Sequence, residues 1–124
     1  VGKIWAALFG VAMLIASPDL HADTAKTESI PCGGAPVEAG VRACTQLIES
    51  GQFDNNDLAV AYLKRGQLYE SERDSDKAIA DYSKAIDLDH NYADAYFLRG
   101  VIFGRDEKDY DRALADLDRA IDLD

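Results

Sequence analysis

From Pro36 to Asp124, apolar residues recur three and four positions apart, and polar residues fill the places between them. That spacing puts the apolar set on one face of an α-helix; no stretch alternates in twos for long enough to make a strand. The pattern predicts a first helix over 36–51. Pro36 is suited to its first position and Gly51 to its stop, with Val41, Cys44, Leu47 and Ile48 along one face. Four more helices follow, over about 57–72, 75–88, 92–104 and 110–123. The breaks between them hold turn and capping residues: Gln52–Asp57, Asp74, His90–Asn91 and Asp106–Asp109. Asn91 is placed to cap the fourth helix. Helices of this length with short connections become antiparallel neighbours.

The last four helices form a pattern that occurs twice. Ala59–Asp89 and Ala93–Asp124 align with one extra residue in the second copy, near Lys108, and about half of the aligned positions are identical. Tyr62 recurs as Tyr96, a step of 34, and Ala85 as Ala120, a step of 35. A period of this size belongs to a stacked repeat array. Within the first copy, Ala59, Tyr62, Gly66 and Tyr69 line the leading helix, and Ala78, Tyr82, Ala85 and Ile86 line the trailing one. The second copy has Ala93, Tyr96, Gly100 and Phe103, then Ala113, Leu117, Ala120 and Ile121. A glycine inside a helix costs roughly 1 kcal/mol relative to alanine. Its presence twice at one repeat position implies close approach of a neighbouring helix.

This arrangement resembles the tetratricopeptide repeat (TPR), on Tyr62, Gly66, Tyr69, Ala78, Tyr82 and Ala85 in one unit and Tyr96, Gly100, Phe103, Ala113, Leu117 and Ala120 in the next. The segment ACTQLIESG followed by DLAVAYLKRG also resembles small exported bacterial proteins of that family. The resemblance implies an all-α fold, a right-handed α-solenoid of antiparallel helix pairs. Repeats would occupy 57–90 and 91–124, and 36–51 would be the trailing helix of a degenerate earlier unit. It also implies a non-catalytic scaffold whose concave face, built from the leading helices, binds a protein or peptide. Carried over by position, that face holds Val60, Leu63, Gln67, Glu70 and Ser71, then Asp94, Phe97, Val101, Gly104 and Arg105. Leu63, Gln67, Glu70, Phe97, Val101 and Arg105 are the candidate partner-binding residues. The places where some relatives clamp a terminal carboxylate hold Leu63, Gln67 and Leu98, which argues against such a clamp here. Leu63 and Phe97 are either apolar anchors for a partner or residues packed against neighbouring helices.

The chain departs from the family pattern in several places. His90 stands where proline is usual. Ser75 replaces a common aromatic that Tyr110 keeps. The sequence stops at Asp124 with no polar capping helix in view, which would leave Leu114, Leu117 and Ile121 beside an open edge. That edge supports an alternative role, an assembly element that stacks on a partner or on itself. A fragment of a longer array is the other alternative.

Charge and composition narrow the function. A net charge of −10 opposes binding to nucleic acid through phosphate neutralisation and docking on anionic lipid. It leaves a solvated acidic surface, or one that steers a basic partner. The first 22 residues differ from the rest: Lys3, then the uncharged apolar run Ile4–Ala16, then Ser17-Pro18 and the small Ala22. This is the pattern of a secretory signal peptide over 1–22, with an uncleaved anchor as the alternative. The apolar run falls short of the roughly 20 residues a spanning helix needs. The expected location is therefore the periplasm or outside the cell, with an irregular leader over 23–35 and no stable membrane insertion after cleavage.

Two cysteines, Cys32 and Cys44, lie in the exported part, and an oxidising compartment favours a disulfide between them. A zinc site would need two further ligands, and a catalytic thiol a nearby base; the sequence offers neither close by. Asp87, Asp89 and Asn91 begin like a calcium loop, but Tyr92 and Leu98 stand where glycine and glutamate are required. No catalytic residue, cofactor or metal is expected. Arg65 and Arg99 share one repeat position, as Asp81 and Asp116 share another. They predict structural ion pairs, with an anion site as the alternative.

Overall fold

The computed structural model describes residues 32–34 and 36–124. The signal peptide read over 1–22 and most of the 23–35 leader lie outside the described residues. Five helices follow in order: α1 (Val37–Glu49), α2 (Asn55–Ser71), α3 (Ser75–Leu88), α4 (Ala93–Arg105) and α5 (Tyr110–Leu123), with no strand among the described residues. The principal interfaces are α2 on α3 and α4 on α5, the two repeat hairpins. Lesser ones join α1 to α2 and α3 to α4. The chain is an all-helical solenoid of the expected kind, with α1 taking the place of a trailing helix before the first full unit.

The helix ends follow from local chemistry. Asp54, Asp74 and Asp109 each accept a hydrogen bond from a backbone N–H three residues on, those of Asp57, Lys77 and Arg112, at 2.9, 3.2 and 3.0 Å. A carboxylate there satisfies an N–H that the helix cannot. Asp54 thus starts α2 two residues earlier than the apolar pattern alone indicates. Asn91 does not cap α4, contrary to expectation. Its backbone N–H donates to Asp89 Oδ1 at 2.9 Å, and Tyr92 occupies the cap position without a side-chain bond. Pro36 also sits one place earlier than predicted, as the cap of α1. Its carbonyl accepts from the N–H groups of Ala39 and Gly40.

Arg73 and Lys108 both have positive φ, 62° and 52°, just before a capping aspartate. The two turns are built alike, and the one extra residue of the second unit is taken up between Asp106 and Asp109, outside both helices.

Two apolar clusters make the core. The larger joins Ala59, Leu63, Ala78, Tyr82, Ala85 and Ile86 of α2 and α3 to Ala95 and Ile102 of α4. The smaller joins Cys32, Cys44 and Leu47 to Ala61. Cys32 and Cys44 form a disulfide with their Cα atoms 4.7 Å apart, which ties the leader onto α1.

The repeated glycines are the notches the sequence implied. A Cβ on Gly66 would lie 2.6 and 2.8 Å from Tyr82 ring atoms, and one on Gly100 3.1–3.2 Å from Asp116, Ala113 and Leu117 atoms. Tyr82 is fully buried and its hydroxyl donates to Glu70, so its ring has nowhere to move. Gly66→Ala is therefore expected to destabilise by about 1 kcal/mol. Overpacking costs about 1–3 kcal/mol, less about 1 kcal/mol regained in helix propensity. Gly100→Ala should cost less, because its closest neighbours are a few tenths of an ångström further off. Urea midpoints of the two variants decide this; equal losses would show that the Tyr82 ring yields.

Candidate interaction site on the leading helices

The arginine–aspartate pairs come first, because they fix how the leading helices are held. Arg65 bonds Asp81 through Nε and Nη2, both at 2.8 Å, and Thr45 Oγ1 through Nη1 at 3.0 Å. One guanidinium thus joins α1, α2 and α3. Arg99 does the same one unit later, with Asp116 at 2.7 and 2.8 Å and Ser83 Oγ at 2.9 Å, joining α3, α4 and α5. Each guanidinium also lies within 6 Å of two aromatic ring centroids, Tyr62 and Tyr69 for Arg65, Tyr96 and Phe103 for Arg99. The aspartate hydrogen bonds hold both arginines above their ordinary pKa, against the opposing effect of burial. These are structural clasps, as expected, and not an anion site.

Gln67, Glu70 and Arg105 come together around an open cleft of about 790 Å³ at the C-terminal ends of α2 and α4. Ser71, Arg73, Ser75 and Asp106 complete its lining. A chain of polar bonds organises the cleft. Arg105 donates to Asp106 from Nε at 2.7 Å and from Nη2 at 2.9 Å, and to Glu70 Oε1 from Nη1 at 3.1 Å. The second Glu70 oxygen accepts from the Tyr82 hydroxyl at 2.9 Å, and Ser75 Oγ donates to Asp106 at 2.6 Å. Arg105, followed by Ser75, pulls the Asp106 carboxyl down to about 2. Burial, followed by the Glu70 carboxylate, pushes the Tyr82 phenol well above its ordinary value, so it remains a donor. Glu70 thereby fixes the core tyrosine on one side and the exposed Arg105 on the other, while Gln67 and Ser71 keep their polar ends in solvent.

The remaining candidates lie elsewhere. Leu63, read as one of two apolar anchors, is a core residue, and the reading is corrected: α4 packs over it and leaves it 7% exposed. Phe97 holds the same repeat position and is 51% exposed. It lines a separate apolar hollow of about 310 Å³ between α4 and α5. Val101 is half-buried on α4. Arg73, Ser75 and Asp106 were not among the sequence candidates, because they fall in turns. Repeat register placed those turns, but only the packing of α2 against α4 brings them to one cleft. No three His, Cys, Asp or Glu side chains among the described residues are grouped to hold a metal ion. None of the described helices is long and apolar enough to cross a membrane.

Comparison with known families agrees with this architecture. The family model described as "TPR repeat" matches residues 74–106, and the one described as "Tetratricopeptide repeat" matches residues 93–124. The chain is a member of the tetratricopeptide-repeat family, whose repeats generally serve as protein-interaction scaffolds. No curated protein matches the chain.

Proposed function

We propose that this chain is an exported, non-catalytic scaffold that binds a protein or peptide segment along its leading helices, with the cleft at Gln67, Ser71 and Arg105 as the main contact. The observation that carries this reading is the cleft itself. An arginine already held by Glu70 and Asp106 stands beside an exposed amide and an exposed hydroxyl, at a place where the fold gains little from polar side chains. Gln67 supplies a donor and an acceptor, Ser71 a hydroxyl, and Arg105 two N–H groups beyond the three already used. That set suits the backbone amides of an extended segment. Because Arg105 is pinned beforehand, little side-chain entropy is lost when a ligand arrives. Export is supported by the sequence pattern over residues 1–22 and by the pairing of Cys32 with Cys44, since disulfides persist in oxidising compartments.

The test is photocrosslinking in cells that make the chain. A photoreactive residue is placed at Gln67 or, as a control, at Lys84, exposed on the trailing helix α3. A discrete partner crosslinked from position 67 and not from 84, and lost when Ser71→Arg fills the cleft, is the expected result. Equal crosslinking from both positions, or none from 67, would overturn the proposed contact. Recovery of the crosslinked chain outside the cytoplasm with a new N-terminus near Asp23 is the expected sign of export.

A further inference from the structure

The apolar hollow beside Phe97 is lined by Ala93, Asp94, Phe97, Leu117, Ala120 and Ile121. One repeat earlier the same positions are Ala59, Val60, Leu63, Tyr82, Ala85 and Ile86. Five of those six, all but Val60, belong to the larger core cluster. What buries them is α4, which brings Ala95 and Ile102 into the cluster and packs Leu98 against it. The consequence is visible in matched pairs: Ile86 is 7% exposed and Ile121 73% exposed. Leu114, at the position of the half-buried Ile79, is also exposed. The second unit thus carries a seat whose natural occupant is displayed by the first.

We propose that this face of α4 and α5 binds a basic, amphipathic helix of another protein, in the manner in which α4 binds the preceding unit. The occupant's pattern is read from α4: a small residue as at Ala95, apolar residues three and seven positions later as at Leu98 and Ile102, and an arginine four positions later as at Arg99. The arginine has a defined target. Arg99 reaches back to Ser83 on α3, and the residue of α5 at the position of Ser83 is Asp118, which is exposed. A carboxylate in place of a hydroxyl makes that bond charge-assisted, and so selects a cationic helix over a neutral one. The chain's −10 charge steers in the same direction. A second copy is a poor occupant. Setting two α5 faces together opposes Asp118 and Asp122 to their own twins, and among the described residues the helices with the required pattern, α2 and α4, are packed within their own units.

The probe is a helix-stapled peptide copying residues 92–105, with Tyr96 and Phe103 changed to Gln and Gly100 to Ala to keep its far side polar. Its binding to the full chain is followed by fluorescence anisotropy. Saturable binding is expected, weakened about tenfold or more by Ile121→Asp, whose side chain is already mostly in solvent. Asp118→Arg should weaken binding as well, and a peptide carrying Arg99→Asp should restore it. A peptide that merely displaced the chain's own α4 would ignore both substitutions, and that outcome overturns the proposal. So does absence of saturable binding, or Asp118→Arg without rescue. Sedimentation equilibrium gives an independent arm: a dimer abolished by Ile121→Asp would make the occupant a second copy and overturn the assignment to another protein.

Discussion

Asp81→Ala is expected to lower the unfolding free energy by about 3 kcal/mol. The Asp81 and Arg65 side chains are 6% and 17% exposed and share two hydrogen bonds of 2.8 Å. Removing one member of a buried pair costs about 3–5 kcal/mol, because the other charge is left uncompensated. The lower end applies here, since Arg65 keeps an edge in solvent and a bond to Thr45. Arg65 cannot escape by losing its proton, because its pKa is held above an already high value. The loss should therefore be constant across neutral pH. Replacing both residues, Arg65→Leu with Asp81→Leu, should cost less than Asp81→Ala alone, because no orphaned charge remains. Urea unfolding of the two variants measures this. A double variant as unstable as the single one would mean that the clasp works by packing, and that its charges contribute little.

Reduction of the Cys32–Cys44 bridge is expected to cost a similar amount by a different route. The bridge spans 12 positions, and closing a loop of that size restricts the unfolded chain by about 3 kcal/mol on the chain-entropy account. Both cysteines are fully buried in the smaller cluster with Leu47 and Ala61, so their loss also removes packing between α1 and α2. The other close contact there is Gly40 beneath Leu68, whose methyl carbon would stand 2.8 Å from a Cβ at that glycine. The damage should be local. Amide exchange along residues 41–49 should accelerate on adding a thiol reductant, while α4 and α5, which share no residue with that cluster, stay protected. The Cys32→Ser, Cys44→Ala variant should show the same pattern. Uniform acceleration through α5 would show instead that the solenoid unfolds as one unit, and an unchanged urea midpoint would remove the bridge from the forces that hold α1.

The fold was legible in the sequence to an unusual depth, because a repeat tests itself. Gly66 and Gly100, or Arg65 and Arg99, give the same answer twice, and each pair was read correctly as a packing notch or a structural ion pair. Helix ends were legible where an aspartate caps them and misread at Asn91, because that side chain competes with a tight turn at Asp89 that apolar spacing cannot register. The candidate site was less legible. Gln67, Glu70 and Arg105 were found by position. Leu63 was misplaced because its exposure depends on the following helix, and its twin Phe97 shows the opposite outcome for the same repeat position. Arg73, Ser75 and Asp106 escaped notice because turn residues carry no periodic signal.

The sequence by itself determined the helices, their pairing and the small-against-large register, since these depend on spacing within 30 to 40 residues of chain, and spacing is written in the chain. Tertiary structure alone decided which of two equivalent residues is core and which is surface, and which turns meet to form a cleft. Burial belongs to a residue's neighbours in space. Only stacked helices show that Ile86 has a covering helix while Ile121, the same residue in the same motif, faces solvent.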